Sequence, residues 1–203
     1  MRNLVIMETA KRECILIEAA KAFARFGFQK ASVDEIAKGA GVAKGTIYLA
    51  APSKKELFYE VLLREVRAWN AELMKRIDPR KHADEILVEI SWDSVRTLDT
   101  RPLVRDLLFG HHAEMIPELA DKIDELRRVG LEPIAEVLRL GIRQGRFRKG
   151  IDVEELASVL LDLHIATLMF HAADKPDREQ KLARRAAAGF DLILRGLLET
   201  APA

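Results

Sequence analysis

The chain has 203 residues, with 33 Lys and Arg against 32 Asp and Glu, 49% hydrophobic residues and one cysteine. That length suits one domain or two small ones, and the charge balance excludes both a uniformly basic nucleic-acid scaffold and an acidic disordered chain. Cys14 has no partner for an intrachain disulfide, and the longest run without Asp, Glu, Lys or Arg, 163–173, is 11 residues, where a membrane span needs about 20.

The N-terminus reaches Glu8 before a signal-peptide core can form, so a cytoplasmic protein with no membrane partner is predicted. The charge is unevenly spread. Residues 1–55 carry ten basic and five acidic residues, a local net of +5, which leaves −4 for the rest. A basic first quarter on an acidic remainder points to an anionic partner for that quarter alone.

Apolar residues recur three and four apart from end to end and nowhere alternate with period two, which predicts an all-α fold. Helix one is expected over about 9–26, with Ile15, Ala19, Ala22 and Phe26 along its stripe and Gly27 closing it. Ser32 with Glu35 reads as a capping box for a short second helix ending near Gly39–Gly41, and a third short helix follows over 43–49. Ser53 with Glu56 makes a second box, opening a long helix that stops before Asp78 and Pro79. Further helices are expected at about 83–98, 102–115, 117–143, 152–172 and 177–198, with breaks at Arg101–Pro102, Ile116–Pro117 and Gly141–Gly145, and an Asp152 cap. The first three helices are too short to stand without neighbours, and the division is set at 1–54 and 55–203.

The stretch Ser32–Leu49, SVDEIAKGAGVAKGTIYL, has the grammar of a helix-turn-helix. Ile36, Ala37, Val42 and Ile47 lock the pair, Gly41 permits a turn at positive φ, and Lys44, Gly45, Thr46 and Tyr48 remain on the outer side as small and polar groups suited to a major groove.

From Ile15 to Leu57 the sequence ILIEAAKAFARFGFQKASVDEIAKGAGVAKGTIYLAAPSKKEL resembles the DNA-binding domain of the TetR-type transcriptional regulators. The likeness rests on the FarFGF helix ending, the S-V-x-x-I-A box, A-G-V-x-K-G-T-x-Y and P-S-K-x-x-L in one order at family spacing. It implies a one-component regulator, most often a repressor, that leaves a palindromic operator when a small ligand binds. Carried over by position, Lys44 faces bases, Thr46, Tyr48 and Lys54 grip phosphates, Val33 and Asp34 approach the groove edge, and Gly45 lets the backbone come close. The chain departs from the family at Ala43, Ala50 and Ala51, where Ser or Thr, an aromatic or His, and Phe are usual. The departures keep open a second reading, a dimer of helix-turn-helix descent acting through protein interaction with weak or no DNA binding.

In the second domain Trp69, Trp92, Phe109, His112 and Met115 are the candidates for a largely apolar effector pocket. His111 and His112 point about 100° apart on a helix, so one at most lines it. His164 and His171 lie about 10.5 Å apart along a helix axis, too far to share a metal ion. No P-loop, dinucleotide glycine pattern or nucleophile elbow occurs, so neither an enzyme nor a cofactor is expected. The last two helices are apolar on more sides than one bundle covers. Leu156, Leu160, Leu163 and Phe170 on one, and Phe190, Leu194 and Leu197 on the other, are the expected homodimer interface.

Overall fold

A computed structural model describes residues 2–78, 80–108, 120–173, 188, 189, 192, 193 and 195–197. These residues form α-helices and one 3₁₀ turn, with no β-strand among them. By contacts the chain divides into two compact units, Met1–Arg67 with Arg101–Leu126, and Ala68–Thr100 with Arg127–Ala203.

The first unit begins with α1 (Arg2–Lys30), which starts earlier than the apolar spacing predicts. Gly27, at φ 72° and ψ 166°, interrupts it where a helix end is expected, and a further single turn closes with Ala31 N–H donating to the Gly27 carbonyl at 3.1 Å. The interruption changes which phenylalanine turns inward. Phe26, expected on the buried stripe, is 42% exposed with the Arg25 guanidinium 5.0 Å above its ring. Phe28, beyond the break, is buried instead, 6.0 Å from the Phe23 ring and 5.3 Å from that of Phe58. The positive φ redirects the chain after Phe26, so the 100° step no longer applies to Phe28, which turns inward.

Next come α2 (Val33–Gly39) and α3 (Lys44–Ala50). Gly41 at φ 65° ends α2 in a Schellman turn, in which Val42 N–H donates to the Ala37 carbonyl at 3.0 Å and Gly41 N–H to that of Lys38 at 3.2 Å. Ser32 has an N-cap backbone, but its hydroxyl makes no capping bond, so the expected Ser32–Glu35 box does not form. Asp34 and Glu35 in that first turn are exposed. Ile36, Ala37 and Ile47 are buried, as are Ile15, Ala19 and Phe23 of α1, and α2 packs on both α1 and α3.

Helix α4 (Lys54–Lys75) is capped as expected, with Glu56 N–H donating to Ser53 Oγ at 3.1 Å. The Glu56 carboxylate does not close the box; it accepts from Lys122 on α7 (Ala120–Arg143). Tyr59 likewise donates its hydroxyl to Glu125, and α6 (Pro102–Leu108) buries Leu103 and Val104. Burial, then the Glu125 carboxylate, pushes the Tyr59 phenol well above its ordinary range.

The second unit holds the end of α4, α5 (Ala83–Thr97), the 3₁₀ turn Leu98–Thr100, most of α7, and α8 (Val153–Ala173). Its core gathers Ile86, Leu87, Val137, Leu138, Phe147 and Ala157 with Leu197 of the C-terminal segment. Gly141 makes room for Phe147, since a Cβ there would lie 2.1 Å from the ring. Gly145, at φ 68°, turns the chain after α7. Asp152 caps α8 through Glu155 N–H at 3.1 Å, as expected. The expected break at Ile116–Pro117 lies outside the described residues, as does most of the 177–198 helix.

Candidate functional site

Burial of Ile36, Ala37 and Ile47 fixes which side of the helix-turn-helix remains open. On that side Lys44 and Gly45 are exposed, Tyr48 is 43% exposed and Thr46 is half-buried. A Cβ at Gly45 would meet no heavy atom within 4 Å, so the backbone there is open to close approach. Lys44 Nζ donates to the Asp34 carboxylate at 2.9 Å, tying the start of α3 to the first turn of α2. That hydrogen bond, reinforced by the charge of Asp34, raises the Lys44 pKa. Asp34 is exposed and Val33 half-buried beside it. Lys54 Nζ donates to the Gln29 carbonyl at 3.0 Å and lies 4.8 Å from the centre of the Phe28 ring; its partial burial lowers its pKa.

Leu49, absent from the sequence-based candidates, is 88% exposed. The signal was present, because Leu49 stands two residues after inward-facing Ile47, about 200° round the helix.

The second unit encloses a cavity of about 240 Å³ between α5, α7, α8 and the C-terminal segment. Leu87, Ile90, Trp92, Ile134 and Leu160 supply apolar wall, and His164 enters with its Nε2 2.6 Å from Ser94 Oγ. Burial pushes the His164 imidazole down to about 4. Of the expected ligand residues, Trp92 lines this cavity. Trp69 does not; it is buried, and its Nε1 donates to Thr97 Oγ1 at 2.8 Å. Phe109, His112 and Met115 lie outside the described residues. Sequence reasoning weighed His164 only as a metal ligand and passed over its serine partner, 70 residues away in the chain.

Among the expected interface residues, Leu160 and Leu197 are buried in the unit's own core and Leu156 is half-buried. Leu163 is 49% exposed, and Val159, Met169 and Leu192 are exposed with it. Phe190 and Leu194, and the side chain of Phe170, lie outside the described residues.

The family model for bacterial regulatory proteins, tetR family, matches residues 15–61. The HTH-type transcriptional regulator YhgD of Bacillus subtilis is 28% identical over 163 residues, 80% of this chain and 84% of its own length. A TetR-family transcriptional regulator from Pectobacterium atrosepticum aligns over 97% of this chain and 98% of its own, with a TM-score of 0.72 and 21% identity. FadR from Bacillus subtilis, solved in complex with stearoyl-CoA, aligns over 91% and 98%, with a TM-score of 0.57 and 23% identity. The two structures bear on the fold alone. Residues 15–61 thus carry the helix-turn-helix of the bacterial tetR family of regulatory proteins, and the relatives that align over most of the chain are named transcriptional regulators.

Proposed function

We propose that the protein is a homodimeric repressor that holds a palindromic operator through two copies of α3 and releases it when a small, largely apolar effector fills the cavity of the second unit. Residues 1–54 are the DNA-binding part of this reading and 55–203 the effector and dimerisation part. The observation that carries it is the outer side of α3. Lys44, Gly45 and Tyr48 are all open to a partner, and the basic first quarter supplies the field that draws a polyanion. The stearoyl-CoA in the FadR complex supports a small-molecule ligand. The relatives are named transcriptional regulators, which supports a protein that acts by binding rather than by catalysis. No described helix is long and apolar enough to cross a membrane. We place its action in the cytoplasm.

Coupling runs along α4. Thr97, which accepts from Trp69 of α4, stands two residues from Val95 on the cavity wall. An effector that shifts α5 draws on this bond, and α4 continues without interruption to Lys54, four residues past the end of α3. The effector must favour the released arrangement over the bound one, or no shift follows. Selection of duplexes from a random pool, then polarisation titrations across salt concentrations, tests the reading. Affinity falls steeply as salt rises, because phosphate contacts release counterions. A protein that selects no duplex at low ionic strength overturns it. Trp69→Phe, which keeps an aromatic side chain and removes the bond to Thr97, leaves operator affinity intact and blunts effector release.

A further inference from the structure

We infer that the cavity selects an uncharged, mainly apolar molecule carrying one hydrogen-bond donor, a hydroxyl above all, which it offers to His164 Nδ1. The inference rests on the effector reading and goes further by naming the chemistry of the ligand. It follows from where the protons of the polar wall already go. Ser91 Oγ donates to the Leu87 carbonyl at 2.9 Å, and Thr167 Oγ1 to that of Leu163 at 2.8 Å. Ser94, buried behind the wall, donates to the Ser91 carbonyl at 2.8 Å. A serine hydroxyl has one proton. We assign that proton to the Ser91 carbonyl, which makes the 2.6 Å contact between Ser94 and His164 a donation from Nε2–H to Oγ.

This assignment fixes the tautomer and leaves Nδ1 a lone-pair acceptor without a partner among the described residues. The hydroxyl and imidazole groups on the cavity wall therefore present lone pairs, with their own protons committed to backbone carbonyls or to Ser94, and the Trp92 indole N–H is the remaining side-chain donor of the described wall. A ligand that brings a proton is satisfied. No described wall residue carries a charge to pair with a carboxylate or an ammonium. The burial that holds the imidazole near 4 keeps it neutral, and Nδ1 an acceptor, around neutral pH. A volume of about 240 Å³ beside the flat Trp92 indole suits a body of one or two rings better than a long acyl chain.

The test is calorimetric titration of the full-length protein at pH 7.5 with 1-naphthol, 1-methoxynaphthalene and 1-naphthoate. The second probe keeps the oxygen of the first and loses the proton; the third adds a charge. The expected result is that 1-naphthol binds at least about tenfold more tightly than either, as one unsatisfied buried polar group costs. His164→Leu, shown folded by circular dichroism, then abolishes the preference. Should that variant not fold, the three probes on the unaltered chain decide by themselves. Equal binding of the methoxy compound or of the naphthoate overturns the inference, and so does failure of all three to bind. Release of a labelled operator is read separately. Preferential binding of 1-naphthol without release supports the ligand chemistry and counts against the effector reading, so the two fail in different ways.

Discussion

Lys44 carries the only positive charge on α3, and the free protein holds that charge against Asp34. An exposed pair of this kind adds little to stability. Its consequence lies in recognition, since a carboxylate beside the groove-facing lysine repels phosphates and occupies one of the donors that would read a base. Asp34→Asn keeps the shape and removes the charge. Polarisation titrations at low salt are expected to show about two- to fivefold tighter binding to random duplex, with reduced preference for the selected operator. The His164 ring gives a second prediction. Its folded pKa of about 4 lies below the ordinary value of 6.5, so the unfolded chain takes up the proton first. The stability tied to this group is fully present above about 6.5 and is lost as pH falls from there through 4, by at most about 3 kcal/mol. Urea unfolding between pH 7.5 and 4.5 measures it, and His164→Gln flattens that slope. Below about pH 5 the carboxylates of the unfolded chain also take up protons, so Asp84 and Asp162, lowered by their bonds to Arg146 and Arg127, add to the loss at the acid end, and the difference between the parent and His164→Gln isolates the imidazole.

At the level of helices and turns, Gly141 and Ser53 separate local preference from packing. Alanine is favoured over glycine in a helix interior by about 1 kcal/mol. At Gly141 the added methyl would overlap the buried Phe147 ring, and Gly141→Ala is expected to lower stability by roughly 1 to 3 kcal/mol in chemical denaturation. Ser53→Ala removes the cap of α4 and costs about 0.5 to 2 kcal/mol by the same measurement. Much at this scale was legible in the sequence. Gly27 and Gly41 mark real breaks, and the caps at Ser53 and Asp152 form because each donor lies three residues on in the chain. The failures have one source. Whether Ser32 closes a box, and whether Phe26 or Phe28 turns inward, depends on solvent exposure and on the backbone path beyond a glycine, which periodicity does not encode.

For the molecule as a whole, legibility divides by sequence distance. The candidate DNA-contacting residues fall within 33–54 and were readable as one motif. The cavity draws its wall from 87–95, 134, 160–167 and the segment near 193, and no pattern announces residues assembled from four places. Dimerisation also belongs to this scale. Val159, Leu163, Met169 and Leu192 are half or more exposed or nearly so, whereas Leu160 and Leu197 are already spent in the core. Sedimentation at micromolar concentration is expected to show a dimer, and Val159→Glu with Leu192→Glu a monomer that still folds; a monomeric parent protein removes the two-fold operator from the reading.

The path of the chain through the first unit bears on how the protein is engineered. Residues 101–126 belong to the same unit as the helix-turn-helix, and Lys122 and Glu125 reach Glu56 and Tyr59 there. A transplant that grafts only the first 54 residues onto a foreign sensor would leave this returning stretch behind, and a chimera cut after residue 67 would strand Glu56 and Tyr59 without their companions. A working hybrid should therefore carry both strands of the passage, with its seams near 67, 101 and 126.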